Sequence, residues 1–295
     1  MEIQKQGAAR IEGAPKSNFF SRNASRLAGL FSQKEKPTSL YSMDPSIYDS
    51  YILTEIEKRN FDAVFGAIKS HAMGETMQGM RHVSILDFCC GTGVFPRNWL
   101  AKRMDASGFT YKGVDSSLPF LQFAALSLAG RPNVSFALGD AAKGTFLLAG
   151  SGKYDIVMAT SGYHHIEDGL KAGFLLNMKR HLADGGRIVI YEKFVTPFSN
   201  PVEAVRAGSS FYTERICDIM AEQELSRQQV FALYNELYLT AIRSEEFKVP
   251  LAVFEGHAKA AGLEIIKTRR LWPSDGRFGN PDVGDFVLEL APCQA

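Results

Sequence analysis

The sequence predicts an α/β fold: a seven-stranded, mostly parallel sheet with an antiparallel last strand and helices on both faces. Three observations lead there. From residue 82 to 194, short apolar runs alternate five times with stretches of helical periodicity, the pattern of a parallel sheet covered on both sides. One of those runs, KYDIVMAT (153–160), shows no polar alternation, as a strand buried on both faces requires. Beyond residue 250 a helical stretch and two further strand-like runs follow, and the loop between the last two reads as a hairpin-like connection.

The elements follow in order. Residues 1–40 are rich in Ser, Ala, Lys and Arg and read as a flexible tail, with a short amphipathic piece over Ser21–Phe31 carried by Leu27, Leu30 and Phe31. Residues 41–295 read as one domain. Its N-terminal helical cap spans 44–80: Asp44-Pro45 is a helix start signal, and Phe61, Val64, Phe65 and Ile68 fall on one helical face. HVSILDF (82–88) is the first strand, ended by the turn CCGTG and followed by the helix VFPRNWLAKRM. TYKGVD (110–115) is the second strand, with SLPFLQFAALSLAG as its helix, and NVSFALGD (133–140) is the third. KYDIVMAT is the fourth and DGLKAGFLLNMKRHL its helix; after the turn ADGG, GRIVIYEKF (186–194) is the fifth. Residues 198–250 break the rhythm with one or two aromatic-bearing helices, a helical insertion expected above the carboxyl ends of the strands as a substrate lid. PLAVFEGHAKAAG (250–262) is a helix capped by Gly262, and LEIIKTRRLW (263–272) and DVGDFVLELAP (282–292) are the last two strands.

Bulk properties exclude several classes. The 295 residues are 45% hydrophobic and 22% charged, an ordinary globular composition. A formal net charge of +1 gives no bulk field toward nucleic acid or membrane, and neither is expected as a partner. The four cysteines show no CxxC pairing, so a disulfide framework is not expected and a cytoplasmic location is. No signal-peptide h-region and no membrane-length apolar run is seen. There is no HxH, HExxH or Cys/His cluster, and no metal is expected.

Four motifs stand at successive strand ends: LDFCCGTG, YKGVDSS, FALGDAA and YDIVMATSGYHHIED, with LADGGRIVIYE after them. Gly91 and Gly93 permit positive φ and close backbone approach to a ligand. The dinucleotide fingerprint GxGxxG is missing, because Val94-Phe95-Pro96 follows Gly93. In order and spacing the set resembles the class I S-adenosylmethionine-dependent methyltransferases, in their small-molecule branch, over roughly residues 80–195 and the C-terminal strand pair. The resemblance implies a Rossmann-like sheet and S-adenosyl-L-methionine as cofactor. It implies cofactor contacts from Asp87, Cys89, Gly91, Gly93, Asp115, Ser116, Asp140, Ala141 and Thr160, with Tyr51 folding over from the cap. Asp87 would meet the ammonium through water, Asp115 the ribose hydroxyls, and Asp140 with Ala141 the adenine. Cys89 stands where the family usually has glycine. The two cysteines read as small turn residues, with Cys90 packed inward; a reactive thiolate at the helix N-terminus is the other reading.

Methyl transfer needs alignment, exclusion of water and, for some acceptors, removal of a proton. The catalytic candidates are His164, His165, Tyr163 and Glu192, which follow the fourth strand or end the fifth. His164 or Tyr163 is expected at the acceptor, His165 beneath the cofactor. Tyr48 in the cap and Phe211, Tyr212, Tyr234 and Tyr238 in the insertion are the substrate-binding candidates, core packing being their competing role. The absence of an (N/D)PP(Y/F) tetrapeptide after the fourth strand points, through the resemblance, away from planar amide nitrogens and toward small-molecule O-, N- or C-methylation. Cyclisation or decarboxylation with the cofactor bound, and a nonenzymatic cofactor-binding module, are the competing functions. An aromatic-bearing insertion leaves a homodimer open.

Overall fold

The structure, a computed structural model, describes residues 39, 43–74, 81–146 and 152–293. The amphipathic piece at 21–31 and nearly all of the tail lie outside them.

The cap begins where Asp44 caps helix α1 (Pro45–Ile52): its Oδ1 accepts from the Ser46 N–H at 2.8 Å, and Pro45 sits where no N–H is needed. Helix α2 (Glu55–Met73) follows, burying Phe61, Val64 and Ile68. Strand β1 (Val83–Phe88) leads to a helical stretch, α3, that is π-helical over Pro96–Leu100 and α-helical over Ala101–Arg103. The widened turn falls at Pro96, which has no N–H to continue an α ladder. Then come β2 (Phe109–Asp115), α4 (Leu118–Ser127), β3 (Val134–Leu138), β4 (Tyr154–Thr160), a 3₁₀ turn at Tyr163–His165, α5 (Lys171–Arg180) and β5 (Leu182–Phe194). The insertion is two helices, α6 (Pro201–Glu222) and α7 (Arg227–Ile242). Helix α8 (Leu251–Ala260), β6 (Leu263–Trp272) and β7 (Gly284–Pro292) complete the chain.

The sheet order is β3-β2-β1-β4-β5-β7-β6. β7 runs antiparallel to both β5 and β6, and the other pairs are parallel, as expected from the sequence. Several strand boundaries shift by one or two residues, and two differences have a local cause. β5 starts at Leu182, not at 186, because Leu182 already pairs with Tyr154 and the chain irregularity is absorbed around Gly185 at φ +73°. The α8 cap is Ala261, and Gly262 is the next residue, at φ +68°.

Alternation along β5 divides the interior. Ile188, Ile190 and Phe194 join one core with Phe174, Met178 and Phe254 of α5 and α8. Tyr191, on the opposite face, meets Phe61 of α2 with ring centroids 6.0 Å apart. The cap and the insertion lock together. Gln229 Nε2 donates to the Ser50 carbonyl at 2.9 Å, and Phe231 and Leu239 of α7 pack with Met43, Ile47 and Tyr48.

Candidate active site

From β1 the chain winds outward to β2 and β3, then returns to β4 on the other side of β1. The reversal opens a crevice at the carboxyl ends of β1 and β4, where ligands bind in sheets of this kind. The turn after β1 is shaped for close approach. Cys89, Gly91 and Gly93 all have positive φ, at 61°, 57° and 68°. A Cβ on Gly93 would lie 2.9 Å from the Ala124 Cβ, so glycine lets α4 pack directly against the turn. Asp115, at the end of β2, accepts from the Gly91 N–H and the Ser117 N–H, each at 2.8 Å. One carboxylate thus braces the turn and the start of α4 together.

A cleft opens over this arrangement. Cys89 and Gly91 form its floor, Asp115 and Ser116 one wall, and Asp140 with Ala141, Ala142 and Lys143 another. Asp140 Oδ1 accepts from the Ala142 N–H at 2.9 Å, which fixes that loop. Tyr48 and Phe120 close one side with ring centroids 5.0 Å apart. Ser161, His165, Ile166, Glu167 and Leu170 close the other.

Of the residues singled out in the sequence, Tyr48, Cys89, Gly91, Asp115, Ser116, Asp140, Ala141 and His165 line this cleft. The rest stand elsewhere. Asp87 is buried behind the turn, where the Tyr111 hydroxyl donates to its Oδ2 at 2.7 Å. Burial pushes its carboxyl up to about 7. Gly93 packs under α4. Thr160 ends β4 one residue short of the cleft wall, which Ser161 supplies at φ +53°. Tyr51 is buried in the lid, its hydroxyl 3.2 Å from Glu57 Oε1. Phe211 packs edge-on against Trp272 and stacks near Phe278, away from the cleft. Tyr212 is fully buried with Lys248 Nζ 4.4 Å above its ring, Tyr234 is half-buried, and Tyr238 is exposed. Burial and the nearby carboxylates push both cysteine thiols well above their usual range, which removes the thiolate reading.

Of the two histidines, His165 faces the cleft, and His164 is buried behind it. His164 Nδ1 lies 2.5 Å from Glu192 Oε1, and its backbone N–H donates to Glu192 Oε2 at 3.0 Å. Glu192 Oε1 also accepts from the Lys193 N–H at 2.6 Å. When Glu192 is ionised it accepts the Nδ1 proton, which leaves Nε2 as the unprotonated ring nitrogen. Burial holds His164 well below its usual range, brings His165 down to about 4 and raises Glu192 to about 7. Both imidazoles are therefore neutral near pH 7. Tyr163 does not face the cleft; its hydroxyl meets His257 Nδ1 at 2.6 Å.

Sequence spacing alone did not disclose the segment between α7 and α8. The Phe247 N–H donates to the His164 carbonyl at 2.7 Å, which lays residues 245–248 across the histidine turn. Glu246 Oε2 lies 3.7 Å from His164 Nε2 and is paired with Lys248 Nζ, while the Glu245 carbonyl accepts from His165 Nδ1 at 2.7 Å. His164, His165 and Glu246 bring potential metal-ligating atoms within 4.8 Å of one another, a grouping unlike the metal-free site expected from spacing. Lys248 sits on the carboxylate such an ion would use and opposes a second cation there. Among the described residues, no helix is long and apolar enough to cross a membrane.

Residues 85–186 match the family described as a methyltransferase domain. No curated protein matches the sequence. Among solved structures, the CurJ carbon methyltransferase is 15% identical with a TM-score of 0.55, over 94% of this chain and 66% of that one. This chain thus spans about two thirds of its length. The plantazolicin methyltransferase BpumL, solved with S-adenosylhomocysteine, is 15% identical with a TM-score of 0.52, over 95% and 99% of the two chains. A Haloferax volcanii methyltransferase solved with its Trm112 activator is 13% identical with a TM-score of 0.50, over 94% and 97%. With its strand order and its antiparallel β7, the chain has the fold of the class I S-adenosylmethionine-dependent methyltransferases, and its residues 85–186 match the methyltransferase-domain family.

Proposed function

We propose that this protein transfers a methyl group from S-adenosylmethionine to a small-molecule acceptor. The observation that carries the reading is the braced carboxylate of Asp115, set beside the positive-φ turn and open to the cleft. The fit is physical. Gly91 has no side chain to obstruct a ligand above it, Asp115 is placed to accept two vicinal hydroxyls, and the Asp140–Lys143 loop is placed to hold a flat heterocycle. Tyr48 and Phe120 supply an apolar wall on that side.

The cofactor supplies a methyl carbon already activated by its sulfonium. The protein's part is alignment, exclusion of water and handling of the acceptor's proton. With ionised Glu192 accepting its Nδ1 proton, His164 offers Nε2, which lies 3.7 Å from Glu246 Oε2. A proton leaving the acceptor passes toward this histidine pair, of which His165 lines the cleft. Helix α1, which carries Tyr48 to the cleft and packs on α7, would help keep water from the reacting atoms.

Labelled S-adenosylmethionine with a panel of amine, phenol and carboxylate acceptors, read by intact product mass, tests the reading. One acceptor should gain a labelled methyl group with stoichiometric S-adenosylhomocysteine. Cofactor turnover to other products, or none with any acceptor, contradicts it.

A further inference from the structure

The cleft wall at Asp140–Lys143 stands on a loop with little apolar contact to hold it. Ala141 is buried, but Lys143, Gly144 and Thr145 are exposed. Asp140 ties the loop from within. Its Oδ1 accepts from the Ala142 N–H at 2.9 Å and from the Lys143 N–H at 3.2 Å, and its carbonyl accepts from the Thr145 N–H at 3.1 Å. The two Oδ1 donors belong to successive peptide units, Ala141–Ala142 and Ala142–Lys143.

A side chain behind the cleft holds the other end of the same two units. Asn177, on α5, donates from Nδ2 to the Ala141 carbonyl at 3.2 Å and to the Ala142 carbonyl at 3.1 Å. Arg180 Nη1 donates to Asn177 Oδ1 at 3.2 Å, which sets the end of the amide that faces the loop. A peptide unit is planar, and its C=O and N–H point opposite ways. Each unit is therefore gripped at the carbonyl by Asn177 and at the N–H by Asp140, and the Asp140 carboxylate is oriented through them. Gly144, at φ +65°, brings the loop back over the amide: a Cβ there would lie 3.2 Å from Asn177 Nδ2. The anchor itself is firm, because Phe174, Leu175 and Met178 of α5 are fully buried in the core. α5 also begins directly after Leu170, which lines the cleft with Ile166 and Glu167. One helix thus carries one part of the cleft lining at its start and ties another about two turns further on.

Resting on the methyl-transfer reading above, we infer that Asn177 is a positioning residue for the cofactor: from outside the cleft it holds the Asp140–Lys143 wall in the shape that takes the flat heterocycle. Without its amide both carbonyls turn to water and the loop samples several arrangements. A ligand must then select one of them, and its apparent affinity falls by the fraction of time the loop spends there.

The test uses the full chain with S-adenosylhomocysteine as the probe. Asn177→Ala deletes both donors, and Asn177→Asp keeps the shape but sets carboxylate oxygens against two carbonyls. Calorimetry should show binding weakened about tenfold in Asn177→Ala and at least as much in Asn177→Asp. Amide hydrogen exchange without ligand should quicken about tenfold at residues 140–146 in Asn177→Ala and stay unchanged in the turn at 89–93, a local loosening that a general loss of stability would not give. Asn177→Ala should still unfold in one cooperative transition, because the side chain is half-buried and alanine is the better helix former. An affinity equal to the wild type's in either variant, or exchange that quickens equally in the turn at 89–93, overturns the inference. Failure of S-adenosylhomocysteine to bind the wild type instead overturns the methyl-transfer reading on which it rests.

Discussion

At the scale of single residues, two buried carboxyls separate structure from chemistry. Asp87 is held up at about 7 by burial, against an ordinary 3.8. A carboxyl with a raised folded pKa contributes stability that is complete below about pH 4 and is lost as pH rises to 7. Asp87→Asn keeps an acceptor for the Tyr111 hydroxyl and removes that loss. The variant should therefore exceed wild type at pH 8, by about 2–4 kcal/mol, and the difference should vanish near pH 4, as urea unfolding at both pH values will show. Glu192 is different, because it holds a base. Glu192→Gln should lower turnover about 100-fold or more and change its pH profile while leaving cofactor affinity in place, read by single-turnover kinetics and calorimetry. Equal losses in both would make Glu192 a folding residue only.

At the scale of elements, the turn after β1 is where backbone conformation limits sequence. Gly93→Ala would place a methyl group 2.9 Å from the Ala124 Cβ at φ +68° and should cost about 1–3 kcal/mol in thermal unfolding. The strands were legible because each is a short apolar run bounded by turn residues; β6 begins and ends at the predicted residues. The cleft floor was legible for a similar reason: Gly91, Asp115 and Asp140 lie at strand ends, where local sequence sets position. The surroundings of the histidines were not. Which of two adjacent residues faces the cleft depends on the 3₁₀ turn at Tyr163–His165 and on residues 245–248, some eighty positions later, that bond across it. The same holds for Phe211 and Tyr212, whose helical spacing gave no sign that Trp272, Phe278 and Lys248 would enclose them.

At the scale of the whole molecule, an open cleft braced by Asp115 adjoins a buried region rich in charged side chains. The histidine turn lies between them, with His165 at the cleft and His164 behind it. On the proposed methyl-transfer reading the cleft takes the cofactor and aligns its methyl group for the acceptor. Titration calorimetry of S-adenosylhomocysteine into the wild-type chain and Asp115→Ala tests this most directly. The wild type should bind one equivalent, and the variant about 100-fold more weakly or not at all; before ligand is added the variant should still unfold in one cooperative transition, at a lower temperature because the Gly91 and Ser117 N–H groups lose their acceptor. No saturable heat with the wild type, or the same affinity in both proteins, would contradict the assignment of the cleft.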